Sequence, residues 1–308
     1  MKKKLFIMTC LAVLGIQVVK AQQSIMALHH NGKATFYTSS KIADALAAAT
    51  DGDTIYFSTG IFPSDIKITK KITLIGVGDE TIVKGNISIA IPDSVKLTKR
   101  LFQTLHVNGN LNIDKPVAGV MISQCYFNDI NFNASIDSSY IDRSYVNNKF
   151  YLSSNIKSLN ISTTKIRYIS GSCSDVECAT FTNCNIYELT EKSFATYVNC
   201  IINYLPNNMS AYTVFVNCLA NDNTIFNYSY TNCWHNYDLY LNNNMIPNID
   251  ISGYKGIDGT VIGAYGTTIP YVNDLRPSTP RVLTRSLEVN DVGTTLTVNL
   301  TVGTGEAE

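Results

Sequence analysis

Cys173 and Cys178, in the stretch GSCSDVEC, lie near enough in sequence to form a disulfide that staples a loop. No second cysteine pair or histidine cluster accompanies them, so their spacing does not describe a metal site. His29 and His30 are adjacent, and on an extended chain their side chains diverge, which argues against joint ligation. His106 and His235 stand alone, and no Ser-His-Asp or Cys-His set can be assembled from the sequence. Two cations remain, Lys165 and Arg167 in TTKIRY, spaced as on one face of a strand. In that position they can bond the hydroxyls or carboxylates of a ligand.

The strand that carries them belongs to a repeat. The phrases ISQCYFND from Ile122, YVNNKFYL from Tyr145, ISTTKIRYI from Ile161, FTNCNIYEL from Phe181, YVNCIINYL from Tyr197, FVNCLAND from Phe215 and YTNCWHNY from Tyr230 align on their fourth residue. That residue is Cys125, Asn148, Thr164, Cys184, Cys200, Cys218 and Cys233. The period is too short for paired-helix repeats of about 33 residues or more. The phrases are rich in β-branched and aromatic residues with near period-2 alternation, so each is expected to be one coil of a β-solenoid.

Each position of the phrase then has a task. The first, large and apolar, forms an inward stack. The third is Gln124, Asn147, Thr163, Asn183, Asn199, Asn217 and Asn232, which suits a left-handed corner, and stacked amides can bond from coil to coil. The fourth, mostly cysteine, is small and points inward as a reduced stack, because parallel side-chain vectors in neighbouring coils suit a disulfide poorly. The sixth, which ends in Ala220 and His235, is also inward. The fifth and seventh positions face outward as columns of rings, amides and cations. Rings stack on sugar CH surfaces, while amides and guanidinium groups bond hydroxyls or carboxylates. The candidate ligand-binding residues are therefore Tyr126, Lys149, Tyr151, Lys165, Arg167, Asn185, Tyr187, Trp234 and Asn236.

This arrangement resembles the right-handed parallel β-helix of the pectate-lyase-like superfamily, in which asparagine ladders and inward stacks recur at such corners. The stretch DGDTIYFSTGIFPSDIKITKKITLIGVGDETIVKG, residues 51–85, is similar to the opening coils of that superfamily. The preceding SSKIADALAAATDG reads as an amphipathic helix, with Ser39 or Ser40 at its N-cap, placed as a lid on the first coil. The resemblance implies the fold more than any activity. The paired aspartates of pectin methylesterases are reduced to Asp129 in YFNDINF, and the Asn-Thr-Asp, Asp-Asp and Gly-His-Gly phrases of polygalacturonases are absent. A calcium-dependent lyase needs clustered acids for Ca2+ and an Arg or Lys as base. Lys165 or Arg167 is placed for that role, but the corresponding positions of adjacent coils carry no acid.

The ends of the chain set the context. MKKKLFIMTCLAVLGIQVVKAQQS has a lysine head, an apolar run from Leu5 to Val19 and Ala21, the pattern of a cleaved secretory signal over residues 1–21. That run is shorter than the roughly 20 apolar residues of a membrane helix, and no later segment qualifies as a transmembrane span. Removing the signal takes away four lysines and no acid, which leaves a slightly acidic chain without a basic footprint for nucleic acid. Residues 22–264 are expected to form the solenoid with its cap. Residues 265–308 are expected to form a linker, marked by Pro270, Pro277 and Pro280, and a hairpin around NDVG.

The sequence thus predicts an all-β, right-handed parallel β-helix with an N-terminal helical cap and a C-terminal β-hairpin. It is expected to be exported, whether secreted, periplasmic or on the outer cell surface. Its predicted role is non-catalytic, carbohydrate-interacting or adhesive, with a polysaccharide or glycan as partner and no cofactor. One alternative is a lyase on acidic polysaccharide, which alone would call for calcium. Another is a structural spacer whose C-terminal hairpin docks a surface protein.

Overall fold

A tight corner recurs in the coils from Phe102 to Tyr230, and its backbone dictates their architecture. The corner residue enters the left-handed region, with φ of 53° at Thr104, 54° at Gln124, 43° at Arg143, 49° at Thr163, 53° at Asn183, 55° at Asn199, 49° at Asn217 and 50° at Asn232. Asparagine tolerates that region better than other residues bearing a Cβ. The corner N–H then donates to the following coil, Asn183 to the Val198 carbonyl, Asn199 to Val216 and Asn217 to Thr231, each at 2.9 Å. The next residue turns inward and donates its side-chain hydrogen to the carbonyl two residues back. The distances are 2.8 Å from Ser144 to Asp142, 2.7 Å from Thr164 to Ser162, 3.3 Å from Cys200 to Val198 and 3.4 Å from Cys218 to Val216. Cysteine, serine and threonine interchange in this column because each is small and carries one donor of the right reach. Burial pushes the Cys200 and Cys218 thiols well above their ordinary range, so they stay protonated donors.

The structure, a computed structural model, describes residues 24–92, 95–97, 101–171, 178–190, 195–207, 213–273, 275, 280–289 and 296–304. Strands stack in parallel as a solenoid of about seven turns. The first-position residues run in register through Phe102, Ile122, Ile141, Ile161, Phe181, Tyr197, Phe215 and Tyr230. Phe181, Tyr197 and Phe215 are fully buried, with near-parallel rings 5.0 and 5.2 Å apart. A further parallel stack, Ile66, Ile87, Leu111 and Ile130, closes another side. The N-terminal end is covered by the antiparallel strands Ile25–His30 and Lys33–Thr38 and by the helix α1, Ile42–Ala48, which buries Ile42 and Ala45. The Lys70 ammonium caps α1 by donating to the carbonyls of Leu46, Ala47 and Ala49. His30 hydrogen-bonds the buried carboxylate of Asp53 at 2.8 Å, so His30 serves the cap.

Several expectations change. The second copy of the phrase is IDRSYVNN and not YVNNKFYL. Ile141 is the buried residue that stacks between Ile122 and Ile161, and Arg143 turns the corner, held by an ion pair to Asp142 at 2.7 Å. Tyr145 therefore takes the fifth position. Lys149 follows a register shift, where its N–H and the Asn148 amide both bond Asp129. An earlier copy, FQTLHV, holds a corner at Thr104. Ser39–Lys41 form a 3-10 turn, so α1 starts after Lys41 without a side-chain cap. At the corners an amide rung joins Asn217 to Asn199 at 3.4 Å, and on another side one joins Asn131 to Asn112 at 3.0 Å. His235 is exposed against Phe226 and Tyr237. The coils end at Trp234–His235, short of Ala264. Pro280–Val289 and Leu296–Thr304 pair as an antiparallel hairpin. The expected signal, Cys173, Pro277 and the NDVG turn lie outside the described residues.

The inward donor has a measurable value. Cys200→Thr is expected to unfold at higher denaturant than Cys200→Val, by about 0.5–1.5 kcal/mol, because these nearly isosteric side chains differ in the hydroxyl that reaches the Val198 carbonyl. Equilibrium urea unfolding of the two variants checks this.

Candidate functional site

The corner that turns residue four inward aims residue five outward, which gives the column His106, Tyr126, Tyr145, Lys165, Asn185, Ile201, Leu219 and Trp234. Its last members include apolar residues that water alone would not cover favourably. The chain supplies the cover. Residues 236–275 form a strap across this face, pinched by the antiparallel bridges Leu241 to Pro247 and Lys255 to Val261. Leu239, Leu241, Met245 and Ile262 pack on Ile201 and Leu219 as a second apolar cluster outside the coils. Ala264, Tyr271 and Leu275 pack on Tyr126 and Tyr145 as a third.

Polar bonds fix the strap in place. Asn185 is fully buried, donating to the Met245 carbonyl at 2.7 Å and accepting from the Ala264 N–H at 2.9 Å. The Leu241 N–H reaches Asn203 Oδ1 at 3.0 Å, and Gly263 N–H reaches the Asn199 carbonyl at 2.8 Å. Gly263 has φ of +85°, and a Cβ there would stand 2.5 Å from Asn185 Oδ1, so glycine is required.

Lys165 is the focus of the covered face. It is 3% exposed, and its ammonium sits over the rings of Tyr145 at 4.6 Å, Tyr271 at 4.2 Å and Tyr265 at 5.9 Å. It donates to the Asn244 carbonyl and Asn273 Oδ1, each at 3.2 Å. Burial pushes its pKa down to about 8, opposed only in part by the charge of Asp79. Lys165 and Asn185 are thus removed from any ligand-binding face, and Lys165 from the role of a base acting on a polysaccharide. Apart from Tyr145, their partners belong to the strap, which lies beyond the last repeat phrase. Trp234 is half-buried against Tyr254, and Asn236 starts the strap by accepting from the Asp238 N–H at 3.0 Å.

A strip along the edge of the strap is left partly open, its residues half-buried from His106 to Tyr187 and exposed at Tyr204 and Tyr240. His106 stacks on Tyr126 with centroids 4.2 Å apart, and Tyr126 meets Tyr145 edge-on at 5.3 Å. Asp79 stands 3.6 Å from His106. Arg167 lies near the Tyr145 hydroxyl, where its charge works against the effect of burial, and that hydroxyl donates to Asn147 at 3.1 Å. From Arg167 the strip continues into Tyr187, whose ring contacts Tyr168, Tyr204 and Tyr240 at 6.1, 5.4 and 6.2 Å. Burial raises the Tyr126 and Tyr145 hydroxyls, and burial with the neighbouring Tyr240 pushes Tyr187 up to about 12. All three stay protonated at neutral pH and can both donate and accept. Lys149 is exposed on its bulge, and Tyr151 is exposed farther along that strand, beside Asn131 and Ser170. The site residues that the structure groups are therefore Tyr126, Arg167 and Tyr187, joined by His106, Tyr145, Tyr168, Tyr204 and Tyr240.

Among the described residues no three His, Cys, Asp or Glu side chains converge to hold a metal, so the acid cluster of a calcium-dependent lyase is not assembled there. Cys178 is buried and disulfide-bonded, while Cys125, Cys184, Cys200, Cys218 and Cys233 are free. No described helix is long and apolar enough to cross a membrane. Comparisons with protein-family models, curated proteins and solved structures return no match.

The caged lysine makes strap docking depend on pH. Below about 8 the ammonium is charged in both docked and undocked forms. Between about 8 and the ordinary 10.5 the docked form has released a proton that the undocked form keeps, so docking strengthens as pH rises through that window. Thermal unfolding at pH 7 and pH 9.5 is expected to show this gain in the native protein and its loss in Lys165→Met.

Proposed function

We propose that this protein is an exported, non-catalytic member of the pectate-lyase-like β-helix superfamily that holds a polysaccharide along the open strip. The observation that carries the reading is the run of rings from His106 through Tyr126 and Tyr145 to Tyr187 and Tyr204, with Arg167 midway. Successive coils stand about 4.8 Å apart, so an extended ligand lying along the solenoid axis meets a new ring or polar group at each step. Rings offer apolar faces to sugar CH groups, and Arg167 offers a fork to a carboxylate. Arg167 is also the remaining candidate for a base, but a guanidinium stays protonated, which favours binding over proton abstraction. Export is supported by the lysine-headed apolar N-terminus and by the disulfide at Cys178, a bond typical of oxidising compartments.

Electrophoresis through gels that contain neutral or acidic polysaccharides tests the reading. Retardation is expected in an acidic polymer, and Arg167→Gln and Tyr204→Ala are each expected to weaken it about fivefold or more without moving the unfolding midpoint. Equal migration of the native protein in every gel contradicts carbohydrate binding. Release of unsaturated oligosaccharides from an acidic polymer contradicts the non-catalytic assignment.

A further inference from the structure

At the far end of the solenoid, between the last two corners and the strap, lies a recess of about 400 Å³ lined by Asn217, Asn232, Cys233, Trp234, Lys255, Gly256 and Ile257. We propose that this recess is a second binding site, for a single pyranose unit that carries a carboxylate. It shares the ligand class of the open strip but none of its residues, so either site can exist without the other.

The volume falls within the roughly 300–1,000 Å³ of small-ligand pockets. Each wall then offers what one uronate unit requires. Trp234 supplies an apolar ring for the pyranose CH face, and an edge-on contact to Tyr254, with centroids 5.6 Å apart, fixes its plane. Asn217 spends its amide N–H on Asn199 at 3.4 Å. Asn232 is the last corner among the described residues, exposed, with no further described coil to receive its amide, so its donor and acceptor can reach sugar hydroxyls.

Lys255 gives the site its charge preference. Its side chain is exposed, and no ion pair engages it among the described residues. The acids of its own loops bond their own turns and not the ammonium. Asp250 accepts from the Ser252 N–H at 2.8 Å and its hydroxyl at 3.1 Å, and Asp258 accepts from the Thr260 N–H at 3.1 Å and its hydroxyl at 2.8 Å. An ammonium outside any ion pair, beside an indole and two amides, selects an anionic sugar over a neutral one. The wall opposite is rigid. A Cβ at Gly256 would lie 2.6 Å from Asn199 Nδ2, and Ile257 N–H bonds Asn199 Oδ1 at 3.2 Å, so the strap is seated firmly where it borders the recess.

Trp234 is the only tryptophan in the chain, so its emission reports on this site alone. Titration with galacturonate is expected to give a saturable change in emission, with galactose binding about tenfold more weakly. Lys255→Met is expected to erase that preference and Asn232→Ala to weaken both sugars, each with a native unfolding midpoint. Arg167→Gln, in the strip, is expected to leave the emission response intact. A flat emission curve up to about 50 mM galacturonate, equal responses to the two sugars, or loss of the response in Arg167→Gln would each overturn the assignment.

Discussion

At every corner from Thr104 to Asn232 the backbone enters the left-handed region, and that turn settles three directions together. The corner N–H is aimed at the next coil, the following side chain is aimed at the core, and the one after it is aimed outward. A β-strand alone gives only alternation, which leaves register free to slip. The corner pins register, because a shift by one residue would bury the outward column and expose the inward donors. The free thiols of Cys184, Cys200 and Cys218 are therefore architectural, each serving a carbonyl two residues back where Ser144 and Thr164 do the same with oxygen.

The outward column, once fixed, poses a problem that the strap answers. Ile201 and Leu219 are aimed away from the core yet are fully buried, because Leu239, Leu241, Met245 and Ile262 cover them. Covering them also takes Lys165 out of water without an acidic partner in contact. Three tyrosine rings and two oxygens compensate the ammonium in part, and its lowered pKa shows the remainder of the cost. What the strap leaves uncovered is a strip of rings and amides around Arg167 and a recess beside Trp234.

The repeat was legible because its information is local: three consecutive residues state the corner, the inward donor and the outward position. Where two phrases overlapped, at IDRSYVNN and YVNNKFYL, spelling favoured the wrong one. Ile141 and Val146 decide between them by being buried, which no local pattern shows. The strap was not legible, since it lacks periodicity and its contacts reach back 38 residues at Asn203, 79 at Asn185 and 108 at Lys165. One signal did point to it. An outward column that turns to Ile201, Leu219 and Trp234 in its last coils is too apolar to face water, and so implies a cover.

The central claim is that the strap covers the outward column from Lys165 to Leu219, so the most direct measurement is hydrogen exchange of the strap amides bonded to coil groups. The N–H groups of Leu241, Gly263 and Ala264, held by Asn203, Asn199 and Asn185, are predicted to exchange as slowly as the coil amide of Ile201. Exchange at the rate of an unstructured peptide would contradict the account. It would return Lys165 and Asn185 to the solvent-facing surface.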